Sequence, residues 1–141
     1  MKRNPLRIQN PFVRRLERRR ILLAEGEGDI RRLNSEVLSS FGYHVDAIDN
    51  GLAAWNTLQI NSYDLLIIAE NLPIVSGLDL LKKMHYTGIY LPVILTIRKM
   101  PTWELAAHPW MQSTTMLHAP YSFKSLITKV KNLLQISANS R

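Results

Sequence analysis

Short apolar runs alternate with stretches of helical periodicity from Arg20 to Leu134. Ile21-Leu22-Leu23-Ala24 is the first run, and Ile30, Leu33, Val37 and Phe41 then recur at helical spacing until Gly42 stops the helix. Tyr43–Ile48 reads as a second strand, and the turn Asn50-Gly51 leads into a short helix carrying Leu52, Trp55 and Leu58. The run Tyr63–Ala69 (YDLLIIA) is almost wholly apolar, the pattern of a strand covered on both faces. Ser76-Gly77 precedes a helix marked by Leu78, Leu81 and Met84, and Leu91–Ile97 predicts a fourth buried strand. A short helix is expected over 101–108 and a fifth strand over Thr114–His118. Phe123, Leu126, Val130, Leu133 and Leu134 predict an amphipathic last helix. Five β–α units with short loops predict an α/β fold: a doubly wound, five-stranded parallel sheet with helices on both faces.

Composition narrows the function classes. A chain of 141 residues, 46% hydrophobic and 21% charged, has the makeup of one globular domain. Cys is absent, which excludes a disulfide scaffold, a thiolate metal site and a cysteine nucleophile. No apolar run is long enough to cross a bilayer, and the basic N-terminus is not followed by an apolar signal core, so the expected location is cytoplasmic.

The net charge of +7 looks like a nucleic-acid signal until it is mapped. Residues 1–20 hold eight basic groups against the single acid Glu17, while residues 21–141 hold ten of each sign. The expected organisation is a basic arm over 1–19, a neutral body over 20–135 and a short tail over 136–141. Within the arm, Asn10-Pro11 can start a helix whose stripe of Phe12, Val13 and Leu16 is surrounded by Arg14, Arg15, Arg18 and Arg19. Such an arm is either a solvated extension or a contact for an acidic partner, nucleic acid or a membrane surface.

Other constellations carry little chemistry. Gly26-Glu27-Gly28 has Arg31 where a dinucleotide loop needs its third glycine, and reads as a permissive β–α loop. His44, His85, His108 and His118 lack helical metal-ligand spacing, and Ser35, Ser39 and Ser40 have no paired base. Trp103, Trp110 and Met111 cluster around Pro101 and Pro109. They either cover the sheet locally or form an exposed apolar patch.

Several landmarks together resemble the receiver domain of two-component response regulators, over about Arg20 to Leu134. They are ILLAE with Asp29-Ile30-Arg31, Gly42-Tyr43-His44-Val45, Asn50-Gly51, Tyr63-Asp64-Leu65, Leu72-Pro73 with Ser76-Gly77-Leu78, Leu91-Pro92-Val93-Ile94, and Pro120. The resemblance implies a flavodoxin-like fold of strand order 2-1-3-4-5 with a site at the C-terminal strand ends. It also implies phosphoryl transfer to an aspartate, with Mg²⁺ held by further carboxylates, and with a hydroxyl and a lysine on the phosphoryl oxygens.

The positions that should supply this chemistry do not. Counting from Tyr63 and from Pro73 places the acceptor at Ala69. The acid pair falls on Glu25 and Gly26, the hydroxyl on Ile97, the lysine on Ala119 and the switch aromatic on Met116. Glu70 and Thr96 each stand one place off, and strand alternation points them away from the site. The sequence therefore resembles a pseudo-receiver: a stand-alone, non-enzymatic signalling module of a two-component or phosphorelay system. It is expected to hold no metal and no cofactor and to act by protein–protein contact, independently of phosphorylation. Expected partners are a histidine kinase, another regulator or a larger complex. A homodimer is expected through the face formed by the fourth helix, fifth strand and last helix, with Trp103, Trp110, Met111 and Tyr121 as contacts. The alternatives are a small-anion or ligand binder at the remodelled strand ends, and a nucleic-acid or membrane adaptor acting through the arm.

Overall fold

The computed structural model describes residues 19–139. Five parallel strands, β1 (Arg20–Ala24), β2 (His44–Ile48), β3 (Leu65–Ala69), β4 (Val93–Ile97) and β5 (Thr115–His118), form one sheet in the order β2-β1-β3-β4-β5. The helices are α1 (Gly28–Ser40), α2 (Gly51–Ile60), α3 (Gly77–Thr87), α4 (Thr102–Ala107) and α5 (Phe123–Asn139). A 3₁₀ helix over Pro109–Ser113 sits between α4 and β5 and was not expected. The last helix extends into the expected tail as far as Asn139.

Alternation along the strands builds two cores. Leu22, Leu66, Ile68 and Leu95 pack under α2, α3 and the 3₁₀ helix, while Ile21, Leu23, Leu65, Ile67 and Ile94 pack under α1 and α5. All of β3 is buried, which explains its nearly unbroken apolar run. Edge strand β2 is half-exposed and correspondingly polar.

Polar bonds fix the opposite, N-terminal end of the sheet. The Arg20 N–H donates to Asp64 at 2.8 Å, the Arg20 guanidinium donates to Asp46 at 3.2 Å, and the Tyr63 hydroxyl donates to Asp46 at 2.6 Å. Burial first, and then the Asp46 carboxylate, push the Tyr63 hydroxyl up to about 12. Arg19 is buried, and its carbonyl accepts from His44 N–H at 2.9 Å. It therefore belongs to the body rather than to the arm, whereas Arg14, Arg15 and Arg18 lie outside the described residues.

Caps and glycines aim the loops. Asn50 and Ser76 cap α2 and α3 by accepting from Ala53 N–H at 2.8 Å and Asp79 N–H at 3.1 Å. A Cβ at Gly77 would collide with the Ala69 carbonyl, and one at Gly51 with the Val75 carbonyl. Gly77 lets the N-terminus of α3 close on the end of β3, and Gly51 lets that of α2 close on the β3–α3 loop. Ile74, in the β3–α3 loop, holds φ at +72°, a left-handed conformation that a β-branched residue adopts at a cost.

Helix α1 is rotated relative to the sequence expectation. On α1 the buried residues are Asn34 and Leu38, while Leu33 and Phe41 are over 40% exposed. On α5 the expected Leu126, Val130 and Leu134 are buried and Leu133 packs against the same core; Ile127 joins them and Phe123 faces outward. The apolar spacing is degenerate between adjacent stripes, and Asn34 wins its place through a buried hydrogen bond described below.

Urea denaturation checks three outcomes. Leu38→Ala is expected to cost about 2–5 kcal/mol, whereas Leu33→Ala should cost less than about 1 kcal/mol. Ile74→Gly is expected to stabilise the fold by about 1 kcal/mol through relief of its positive φ. Gly77→Ala should destabilise by about 1–3 kcal/mol, because its new methyl meets backbone rather than a yielding side chain.

Candidate functional site

Parallel strands end together, and their C-terminal loops enclose a cleft of about 290 Å³. Its walls come from Glu25, Gly26 and Glu27 after β1, Ala69 and Asn71–Pro73 after β3, Thr96–Arg98 at the end of β4, and Ala119 and Tyr121 after β5. Ile30 of α1 completes the lining. The structure thus brings together Glu25, Gly26, Ala69, Ile97 and Ala119, as the sequence spacing expected. Met116 lies further down β5, half-buried against the α2–α3 core.

The floor is apolar where a phosphoryl site needs oxygens and a cation. Ala69 and Ile97 are buried, and Ile97 packs into the core below. Glu70, adjacent to the acceptor position, is absent from the lining. Thr96 is buried and pairs in register with Leu117 of the core under α1 and α5, opposite the face of Ile97. Thr96 is nevertheless among the residues at the wall of the cleft. Alternation relative to Ile97 was the correct rule, but at the strand end both residues reach the opening.

The rim is polar. The Arg98 guanidinium bridges to the Glu27 carboxylate at 2.9 Å, tying the loop after β4 to the loop after β1. Arg31 donates to the carbonyl oxygens of Glu25 and Gly26 at 2.9 and 3.4 Å. Glu25 accepts from the Glu27 N–H at 3.0 Å, which favours the carboxylate, yet burial outweighs this and pushes the Glu25 carboxyl up from its ordinary value. Tyr121 accepts from the Asn34 amide at 2.8 Å, joining α1 to the loop after β5. Burial pushes the Tyr121 hydroxyl up as well. Asn34, Asn71 and Arg98 were not singled out in the sequence. Arg98 directly follows a predicted strand, which was the one available signal, whereas Asn34 and Asn71 had none.

Magnesium does not fit these residues. Ala69 and Gly26 have no side-chain oxygen, and among the described residues no group of three or more His, Asp or Glu converges on a metal-sized site.

The expected contact patch also changes. Met111 is only 1% exposed and belongs to the core, because the 3₁₀ helix folds it back under β4. Trp110 is half-buried and stacks on His85 of α3, with ring centroids 4.0 Å apart. Tyr121 is engaged by Asn34 at the cleft. Of the four residues only Trp103, on α4, is largely exposed, so they do not form one patch.

Among the described residues no helix is long and apolar enough to cross a membrane. The family model of the response regulator receiver domain matches residues 21–108. The response regulator receiver protein CpdR of Brucella abortus is 28% identical over 126 residues, covering 82% of this chain and 97% of CpdR. The probable transcriptional regulatory protein SilR of Salmonella typhimurium is 30% identical over 122 residues, covering 82% of this chain and 51% of SilR. The chain thus spans nearly the whole of CpdR but about half the length of SilR and of CusR from Escherichia coli. The receiver domain of the Francisella response regulator 1452 has the same fold, with a TM-score of 0.77 at 24% identity over 84% of this chain and 98% of that one. So does the receiver domain of the Pseudomonas aeruginosa sensor histidine kinase PA1611, at 0.72 and 18% over 83% and 98%, in a structure with magnesium in its active site cleft. With a matching family model over well over half its length and the sheet order and strand-end cleft to go with it, the chain belongs to the response regulator receiver domain family.

Proposed function

We propose that this receiver domain signals without being phosphorylated, and acts by protein–protein contact rather than by phosphoryl-transfer chemistry. The observation that carries the reading is the apolar floor of its cleft: Ala69, Ile97 and Ala119 stand where the family resemblance calls for an aspartate, a hydroxyl and a lysine. A methyl group cannot accept a phosphoryl group, and Glu70, the carboxylate next to it in sequence, is not part of the lining. Thr96 does supply a hydroxyl-bearing residue to the wall, but a hydroxyl that steadies phosphoryl oxygens is idle without an acceptor. The Glu27–Arg98 bridge supports the same reading, because it links two of the loops around the cleft through the protein's own charges. Partners in this reading are other signalling proteins: a histidine kinase, a second regulator, a larger complex or another copy of the chain.

Acetyl phosphate or beryllofluoride with Mg²⁺ is expected to leave the mass and the amide spectrum of the protein unchanged. A phosphorylated product mapped to the end of β3 overturns the proposal. Millimolar Mg²⁺ should move the thermal midpoint by less than about 1 °C, since a ligand stabilises only the state that binds it. A rise of several degrees contradicts the reading. Ala69→Asp alone should not restore phosphorylation, because position 119 still offers no cation. It should instead lower stability by about 1–3 kcal/mol at neutral pH, as a buried carboxylate near Glu25 without a counter-charge. A buried acid has a folded-state pKa above its unfolded value, so this loss should shrink as the pH falls below that folded value; denaturation at two pH values measures it.

A further inference from the structure

The strand-end cleft has lost the groups for one ligand and retains a set that suits another. At about 290 Å³ it lies at the small end of the range for ligand pockets, room for a molecule of a few carbon atoms and a head group. Its floor and one wall are apolar: Ala69, Leu72, Pro73, Ile97 and Ala119. Three charged side chains line it, Glu25, Glu27 and Arg98, for a net charge of −1 when all are ionised.

The cations around the cleft are already engaged. Arg98 is spent on Glu27. Arg31 is spent on the Glu25 and Gly26 carbonyl oxygens. The Glu25 carboxylate accepts the Glu27 N–H on Oε2, and among the described residues no side chain forms an ion pair with it, although the Arg31 charge beside its carbonyl favours its ionised form. A half-buried carboxylate facing an apolar cleft without an ion pair of its own is the group that a ligand's positive charge would stabilise most. Across from it, the Tyr121 oxygen accepts from Asn34, which leaves its O–H proton free to donate to a polar atom of a ligand.

We propose that this cleft binds a small organic ammonium ion with a short apolar body, the ammonium on Glu25 and the carbon chain over Ala69, Ile97 and Ala119. An inorganic cation gains nothing from the apolar floor and meets too few oxygens. A carboxylate or phosphate ligand would have to sit against Glu25. The class therefore follows from the pairing of an acid that has no ion pair among the described residues with an apolar floor. The proposal is separate from the signalling reading above, and either can fail without the other.

The test is an amide-resolved NMR titration of the full chain with n-butylammonium, and with n-butanol and butyrate as neutral and anionic counterparts. Butylammonium is expected to shift the amides of Glu25, Ala69, Ile97 and Ala119 saturably, with butanol weaker and butyrate weakest. Glu25→Gln keeps the shape and the acceptor for the Glu27 N–H, and should weaken butylammonium binding about tenfold or more. Glu70→Gln, outside the cleft, should leave it unchanged. Absence of saturable shifts with butylammonium, butyrate binding as tightly, or undiminished binding by the folded Glu25→Gln variant each overturns the proposal. An intact amide spectrum of that variant separates loss of binding from loss of fold.

Discussion

Everything else in the molecule hangs on the double burial of β3. It is the middle strand of five, sandwiched between two cores, and none of its residues is more than 7% exposed. A parallel strand in this position can bring only apolar side chains to both faces, and each fully buried Leu or Ile contributes about 1.5–3 kcal/mol of transfer free energy. Its neighbours β1 and β4 are held to it by register, and α3 is held by the contact between Gly77 and the Ala69 carbonyl. The strand-end cleft is a by-product of this arrangement, because three β–α loops and the turn after β5 must leave the sheet at the same edge.

A charged acceptor at position 69 would contradict that burial, so such a site needs compensating cations. In this chain the contradiction is absent. Alanine continues the apolar run to the strand end, the lysine position is also alanine, and the residual acid Glu25 is tempered by a backbone N–H and by burial that raises its pKa. With alanine at both positions, neither a buried anion nor a buried cation needs a partner there. The rim then closes with an exposed ion pair, Glu27–Arg98, whose strength depends on salt far more than the core does.

The fold was legible because its signals are redundant. Each strand announced itself by length and by β-branched or apolar runs, and Asn50, Ser76 and Gly77 marked helix starts that the structure confirms as caps and close approaches. The site positions were equally legible, since they were counted from landmarks that the backbone holds rigidly: Glu25, Gly26, Ala69, Ile97 and Ala119 do converge. Legibility failed where neighbouring solutions are nearly degenerate. Leu33 and Asn34 compete for one helical stripe, and a sequence pattern prefers the leucine; the hydrogen bond from Asn34 to Tyr121, 87 positions away, reverses the choice. Met111 could equally cover the sheet or join an exposed patch by its sequence, and the 3₁₀ helix turns it inward.

Sequence by itself determined the apolar periodicities, the chain of five β–α units and the identity of the groups at the strand ends, because these follow from local spacing and from what each side chain is made of. Only the tertiary structure decided which helix face is buried, that Thr96 shares the cleft with Ala69, that Arg19 belongs to the body, and that Arg98 reaches Glu27 across the rim. Those outcomes depend on register and on contacts between residues far apart in the chain. Pairwise geometry of that kind leaves no trace in the local order of polar and apolar positions.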